Sequence, residues 1–166
     1  VTIFDAGEED DLGYIAMARG RFAEAESRFR TYKFVAPDQA NPHDSLGELL
    51  SLVGRYDEAR AELERSLSIR PDFCASYQHL AGIAVFEGRP EEIPPLAERL
   101  GEHCPAEMKA ALDCEARFFA AFISRDFDAP WRDGFASCGG KMGGGILLYR
   151  LALLAGRKAE AEAEEV

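Results

Sequence analysis

The sequence predicts an all-α protein built as a stack of two-helix units, each 34 residues long. Three recurrences in one register predict it. Leu12-Gly13, Leu46-Gly47 and Leu80-Ala81 lie 34 apart, as do Gly20-Arg21, Gly54-Arg55 and Gly88-Arg89, and then Pro37, Pro71 and Pro105. Two further periods reach Leu148, Gly156-Arg157 and Ala161, the last matching Ala25 and Ala59. A fixed period of this size marks a repeat architecture in which each unit buries its apolar face on the next.

The unit around residues 41–71 shows why each half is helical. Asn41 followed by Pro42 reads as an N-cap and a first helical residue. Leu46, Leu49, Leu50 and Val53 then follow at helical spacing. Gly54 supplies a left-handed residue to end that helix, and Tyr56-Asp57-Glu58-Ala59 opens a second amphipathic run through Leu63, Leu67 and Ile69 to Pro71. Helices of about a dozen residues are marginal alone in water, so stability must come from stacking. Gly13, Gly47 and Ala81 on first helices, with Ala25 and Ala59 on second helices, let paired backbones approach closely.

These residues resemble the tetratricopeptide repeat family, whose pattern is Leu-Gly and a large residue in the first helix, Gly at the turn, Ala and an aromatic or Leu in the second, and Pro at the end. The match is closest for 40–73, through Leu46, Gly47, Leu50, Gly54, Tyr56, Ala59, Leu63 and Pro71. It is good for 6–39, through Leu12, Gly13, Gly20, Phe22, Ala25, Phe29 and Pro37. Unit 74–107 keeps Tyr77, Leu80, Ala81, Ala84, Gly88 and Pro105 but departs at Ile93 and at Pro94-Pro95, which delays and shortens its second helix. Unit 108–141 is degenerate: Cys114, Phe118 and Phe122 line a first helix, the turn Gly and final Pro are missing, and Asp128-Ala129-Pro130-Trp131 starts a displaced second helix. Unit 142–166 breaks off. The resemblance implies a right-handed α-α superhelix of about five helix-turn-helix repeats, with 1–166 a single array.

Composition narrows the function. The 19 Lys plus Arg against 30 Asp plus Glu give net charge −11, which opposes nucleic acid and anionic bilayers and favours a basic or mixed-charge polypeptide partner. The longest apolar run, 143–156, is too short to span a membrane and carries Arg150. Cys74, Cys104, Cys114 and Cys138 form no C-x-x-C pair and are few for a disulfide scaffold, so a reduced, cytoplasmic chain is expected. Both ends read as cut from something longer, which leaves a signal peptide open.

Chemistry-bearing motifs are weak. Gly139-Gly140-Lys141-Met142-Gly143-Gly144-Gly145 lacks a phosphate loop's Gly, where Phe135 stands, and its hydroxyl, where Met142 stands. It reads as a flexible connector. His103 and Cys104 supply two of the four ligands that a structural zinc needs, and no second pair has the spacing. Carboxylates such as Glu58 and Glu62, near Arg65, fall on solvated helix faces. No catalytic residue, metal or cofactor is assigned.

The resemblance implies that first helices line a concave groove and present one stripe to a peptide. In this register the stripe is Asp10, Tyr14 and Met17, then Asp44, Glu48 and Ser51, then Gln78, Gly82 and Val85, then Leu112, Ala116 and Phe119, with His79 and Phe86 beside it. The Lys, Asn and Arg set that clamps a C-terminal carboxylate in some family members is absent. The stripe runs from acidic to apolar and suits a basic stretch followed by apolar anchors. A second surface competes: Ile146, Leu147, Leu151 and Leu154 belong to a helix apolar nearly all round, expected to be covered by further repeats or by a second copy in a homodimer. The preferred function is a protein-interaction scaffold. The alternatives are a regulatory or dimerisation segment of a larger bacterial signalling or transcription protein, and an all-helical hydrolase.

Overall fold

Helices recur at the expected intervals. The computed structural model describes residues 6–136 and 152–157. First helices α1 (Ala6–Ala18), α3 (Ala40–Leu52) and α5 (Cys74–Phe86) have 13 residues each and begin 34 apart. Second helices α2 (Phe22–Val35) and α4 (Tyr56–Ile69) have 14 each. They stop two residues before Pro37 and Pro71, and α6 (Ile93–His103) stops two before Pro105. No strand occurs among the described residues.

The turn between paired helices has one construction. Gly20, Gly54 and Gly88 have φ of 71°, 79° and 71°. In the second unit the Gly54 N–H donates to the Ser51 carbonyl at 3.1 Å and the Arg55 N–H to Leu50 at 2.9 Å, satisfying carbonyls that the helix end leaves open. The Arg of each Gly-Arg pair then meets a carboxylate in the first turn of the next helix: Arg21–Glu24 at 2.9 Å, Arg55–Glu58 at 2.6 Å, Arg89–Glu92 at 2.7 Å. Acidic groups there complement the helix dipole. These pairs are exposed, so they orient the turn more than they stabilise it.

The chain gathers into two compact units, 1–83 and 84–166, divided inside α5. In the first, Ala25, Phe29, Leu46, Leu49, Leu50, Ala59 and Leu63 are buried. Its paired helices approach closely because the facing first-helix residue has no side chain. A Cβ on Gly13 would sit 2.4 Å from Phe29, and one on Gly47 would sit 2.7 Å from Leu63. Asn41 is not the N-cap expected from the sequence: α3 begins at Ala40 with Gln39 as its cap. The Asn41 amide instead bonds Asp10 and Tyr32, long-range partners that local capping patterns do not include.

In the second unit, Pro94 and Pro95 act as expected. Neither offers an N–H, so Pro90–Glu92 forms a 3-10 turn and α6 is only 11 residues long. The next helix, α7 (Ala106–Ile123), runs to 18 residues, and its turn comes late. Arg125 takes the left-handed place of the missing Gly, with φ 59°, and the Asp126 N–H closes on Ala121 at 2.9 Å. The displacement is then undone: Gly156, φ 75°, stands two full periods beyond Gly88. The displaced second helix is a single turn, α8 (Ala129–Arg132), ended by Gly134 with φ 72°. Cys114, Phe118, Ala121, Ala129 and Phe135 form the core there, with Phe127 and Trp131 packed on it. Phe122, expected to line the helix, is 45% exposed, and Ala121 takes the inward place.

Ala59 is fully buried against this close contact. Ala59→Glu should lower unfolding free energy by more than about 4 kcal/mol, and Gly54→Ala by about 1 kcal/mol, in urea titrations. Wild-type midpoints for both would contradict the helix pairing.

Candidate functional site

In the first unit, α1, α3 and α5 bring Asp10, Tyr14, Asp44, Glu48 and His79 into one polar network. The Tyr14 hydroxyl donates to Glu48 Oε2 at 2.9 Å and lies 3.4 Å from Ser45 Oγ. Ser45 donates to Asp10 Oδ1 at 2.8 Å, and the Asn41 amide donates to Asp10 Oδ2 at 2.9 Å. Ser76 donates to Asp44 Oδ1 at 2.6 Å and is 2.9 Å from the Ser66 hydroxyl. His79 Nδ1 lies 3.2 Å from the same Asp44 oxygen. Asp10, Asp44 and Glu48 thus take their hydrogen bonds from neutral hydroxyl and amide donors, and from one imidazole. Among the described residues none of the three pairs with Lys or Arg; the charge of Asp10 and Glu48 stays on this face, while Asp44 meets the His79 ring. Glu9 differs, because Arg28 reaches it at 3.4 Å.

The network shifts two titrations. Burial, with the charges of Glu48 and Asp10, pushes the Tyr14 phenol above its usual range even though the contact to Ser45 acts the other way. Burial works against a charge on His79, but the bond to Asp44 and the charges of Asp44 and Glu48 outweigh it, so its pKa is raised.

The stripe residues are not equally accessible. Met17, Tyr14, Asp10, Glu48 and Val85 are half-buried, while Gln78 and Phe86 are exposed. Asp44 and Ser51 are buried; the Ser51 hydroxyl bonds the Glu48 carbonyl within its own helix at 2.7 Å. In the second unit Leu112 and Ala116 are buried and Phe119 is half-buried. Ala116 borders a cavity of about 720 Å³ lined also by Pro90, Pro94, Ala120 and Ile123. Of the self-association set, Ile146, Leu147 and Leu151 lie outside the described residues, and Leu154 is half exposed. Sequence reasoning missed Asn41, Ser45 and Ser76; their signal is a small polar residue on a buried helix face.

Ser76, Asp44 and His79 do not form a nucleophile relay. The carboxylate stands between hydroxyl and imidazole, so the serine proton points at Asp44 and not at a base. Among the described residues no group of three His, Cys, Asp or Glu side chains converges as a metal site, and no helix is long and apolar enough to cross a membrane.

The cysteines correct the sequence expectation. Cys74, Cys104 and Cys114 are disulfide-bonded. Spacing along the chain did not show it, because no C-x-x-C motif marks these cysteines. Disulfides persist in oxidising surroundings, so the reduced-thiol argument for the cytoplasm no longer stands.

No protein-family model matches the chain, and no curated protein matches it. Solved structures do. MamA from Desulfovibrio magneticus RS-1, from its residue 41 to the end, superposes with TM-score 0.68 at 15% identity, covering 99% of this chain and 92% of that one. The MamA RS-1 ArsTM double mutant gives 0.64 at 14%, covering 99% and 97%. The TPR domain of P58(IPK) gives 0.55 at 18%, covering 92% of this chain and 50% of that one. The chain has the tetratricopeptide-repeat fold. At these identities the likeness carries the TPR architecture and not a ligand.

Because the folded His79 ring keeps its proton to higher pH than the unfolded chain, its stabilising contribution is complete below the ordinary value of about 6.5. It fades as pH rises through the folded value. Between pH 6 and 9 the wild-type urea midpoint should fall relative to that of His79→Gln; parallel pH curves would show that the His79–Asp44 contact is not made.

Proposed function

We propose that this TPR chain, read as one array over 1–166, is a scaffold that holds a basic or mixed-charge polypeptide along the inner stripe. The observation that carries the reading is the pair of carboxylates Asp10 and Glu48, fixed by neutral donors and without a Lys or Arg partner among the described residues, above Asp44, which meets Ser76 and His79. Neutral hydrogen bonds hold the oxygens in place but leave the charge for an incoming Lys or Arg. The donors also pre-order the face, which lowers the entropic cost of binding. By itself, the second unit offers an apolar-lined cavity beside Ala116 that suits an apolar side chain.

Asp44 shapes the face from beneath, so a charge reversal there would disturb the fold along with any binding. Isosteric neutralisation of the more accessible pair is the cleaner test. In calorimetric titration with a synthetic Lys-rich peptide bearing one Leu, Asp10→Asn with Glu48→Gln should weaken binding about 5- to 10-fold at low salt, and the difference should shrink at high salt. Equal affinity for wild type and variant would remove the inner stripe from the binding surface.

A second reading is self-association near the C-terminal end, favoured by Leu153 and Leu154, which are 48% and 53% exposed side by side. It is compatible with a regulatory or dimerisation segment of a larger protein. Sedimentation separates the two: a dimer broken by Leu154→Glu supports this second reading, and a monomer at all concentrations rejects it.

A further inference from the structure

The outer helices of the first unit carry a surface of the opposite sign. Arg30, Lys33 and Phe34 of α2 and Arg65 of α4, with Pro37 and His43, line a concavity of about 460 Å³. Three of these six are permanent cations, in a chain of net charge −11.

The internal carboxylates only partly neutralise them. Glu26 serves Arg30 at 2.7 Å but is shared with Arg55 at 2.8 Å. Glu62 serves Lys33 at 2.6 Å and lies 2.7 Å from His43 Nδ1. Arg65 meets only the neutral Ser68 hydroxyl, at 3.4 Å, and its guanidinium faces no carboxylate among the described residues. Beside these cations Phe34 is 86% exposed, the most exposed large apolar side chain described. A solvent-exposed arginine without a counter-charge stands beside an uncovered aromatic ring. It fits a ligand that brings both carboxylate and apolar surface.

We propose that this concavity docks a short acidic peptide segment, its carboxylates meeting Arg65 and Arg30 and an aromatic side chain covering Phe34. The size of the ligand follows from the charge of the whole chain. An extended polyanion, such as a bilayer surface or nucleic acid, meets the −11 net charge as well as this patch. A short segment is governed by charges within roughly 8 to 10 Å at physiological salt, where the cations dominate. The surface is separate from the inner stripe in both sign and position, so it adds a second binding face to the scaffold and does not depend on the first.

The test is fluorescence anisotropy with a short labelled peptide of Glu and Gly residues bearing one central Phe, compared with the same peptide carrying Gln for Glu. Arg65→Glu and Phe34→Ser change exposed side chains, and unchanged thermal melting checks that each variant is folded. Saturable binding is expected for the acidic peptide alone, weakened about tenfold or more by each variant and unaffected by Glu48→Gln in the inner stripe. No saturable binding, equal affinity across the variants, or capture by phosphatidylserine vesicles in place of the peptide would overturn the proposal.

Discussion

The close approach of paired helices at Gly13 and Gly47 is the constraint on which the rest of the first unit depends. With no side chain there, Phe29 and Leu63 pack directly on the opposing backbone, and the space that a Cβ would need is already filled. This sets which face of each helix turns inward, and so which faces remain exposed.

Once that contact sets the stacking, the period places like positions side by side. Tyr14 and Glu48 stand 34 residues apart and share a hydrogen bond. Ser45 reaches Asp10 across 35 residues, and Ser76 reaches Asp44 across 32. This polar face of α1, α3 and α5 is therefore a product of repetition, with carboxylates held by hydroxyls, an amide and the His79 ring from neighbouring helices. The outer helices follow another logic: Arg55 bridges Glu26 and Glu58, linking successive turns. Where such partners run out, at Arg65 and Phe34, a surface of opposite character is left uncovered.

The helices and turns were legible because Leu-Gly, Gly-Arg and Pro each act within a few residues of their own position. The fourth turn was not, since its left-handed residue is Arg125 and a non-glycine carries no mark of that conformation. Asn41 looked like a cap for a related reason: its partners, Asp10 and Tyr32, are distant in sequence. Asp44 read as a solvent-facing ligand group, yet its burial depends on Ser76 and His79 one repeat later. The disulfide-bonded state of Cys74, Cys104 and Cys114 carried no C-x-x-C signature either. Local periodicity shows which face of a helix is apolar; it does not show which polar residue on that face finds a partner in the next repeat.

The most direct measurement of the central contact is a double-mutant cycle on Gly47 and Leu63, read as unfolding free energy in urea. Gly47→Ala drives a methyl into Leu63, and Leu63→Ala clears that space, so the added methyl should cost far less when both changes are present. A favourable coupling of at least about 1 kcal/mol is expected. Additive single effects would mean that the two helices do not meet there, and the register of the repeats would have to be redrawn.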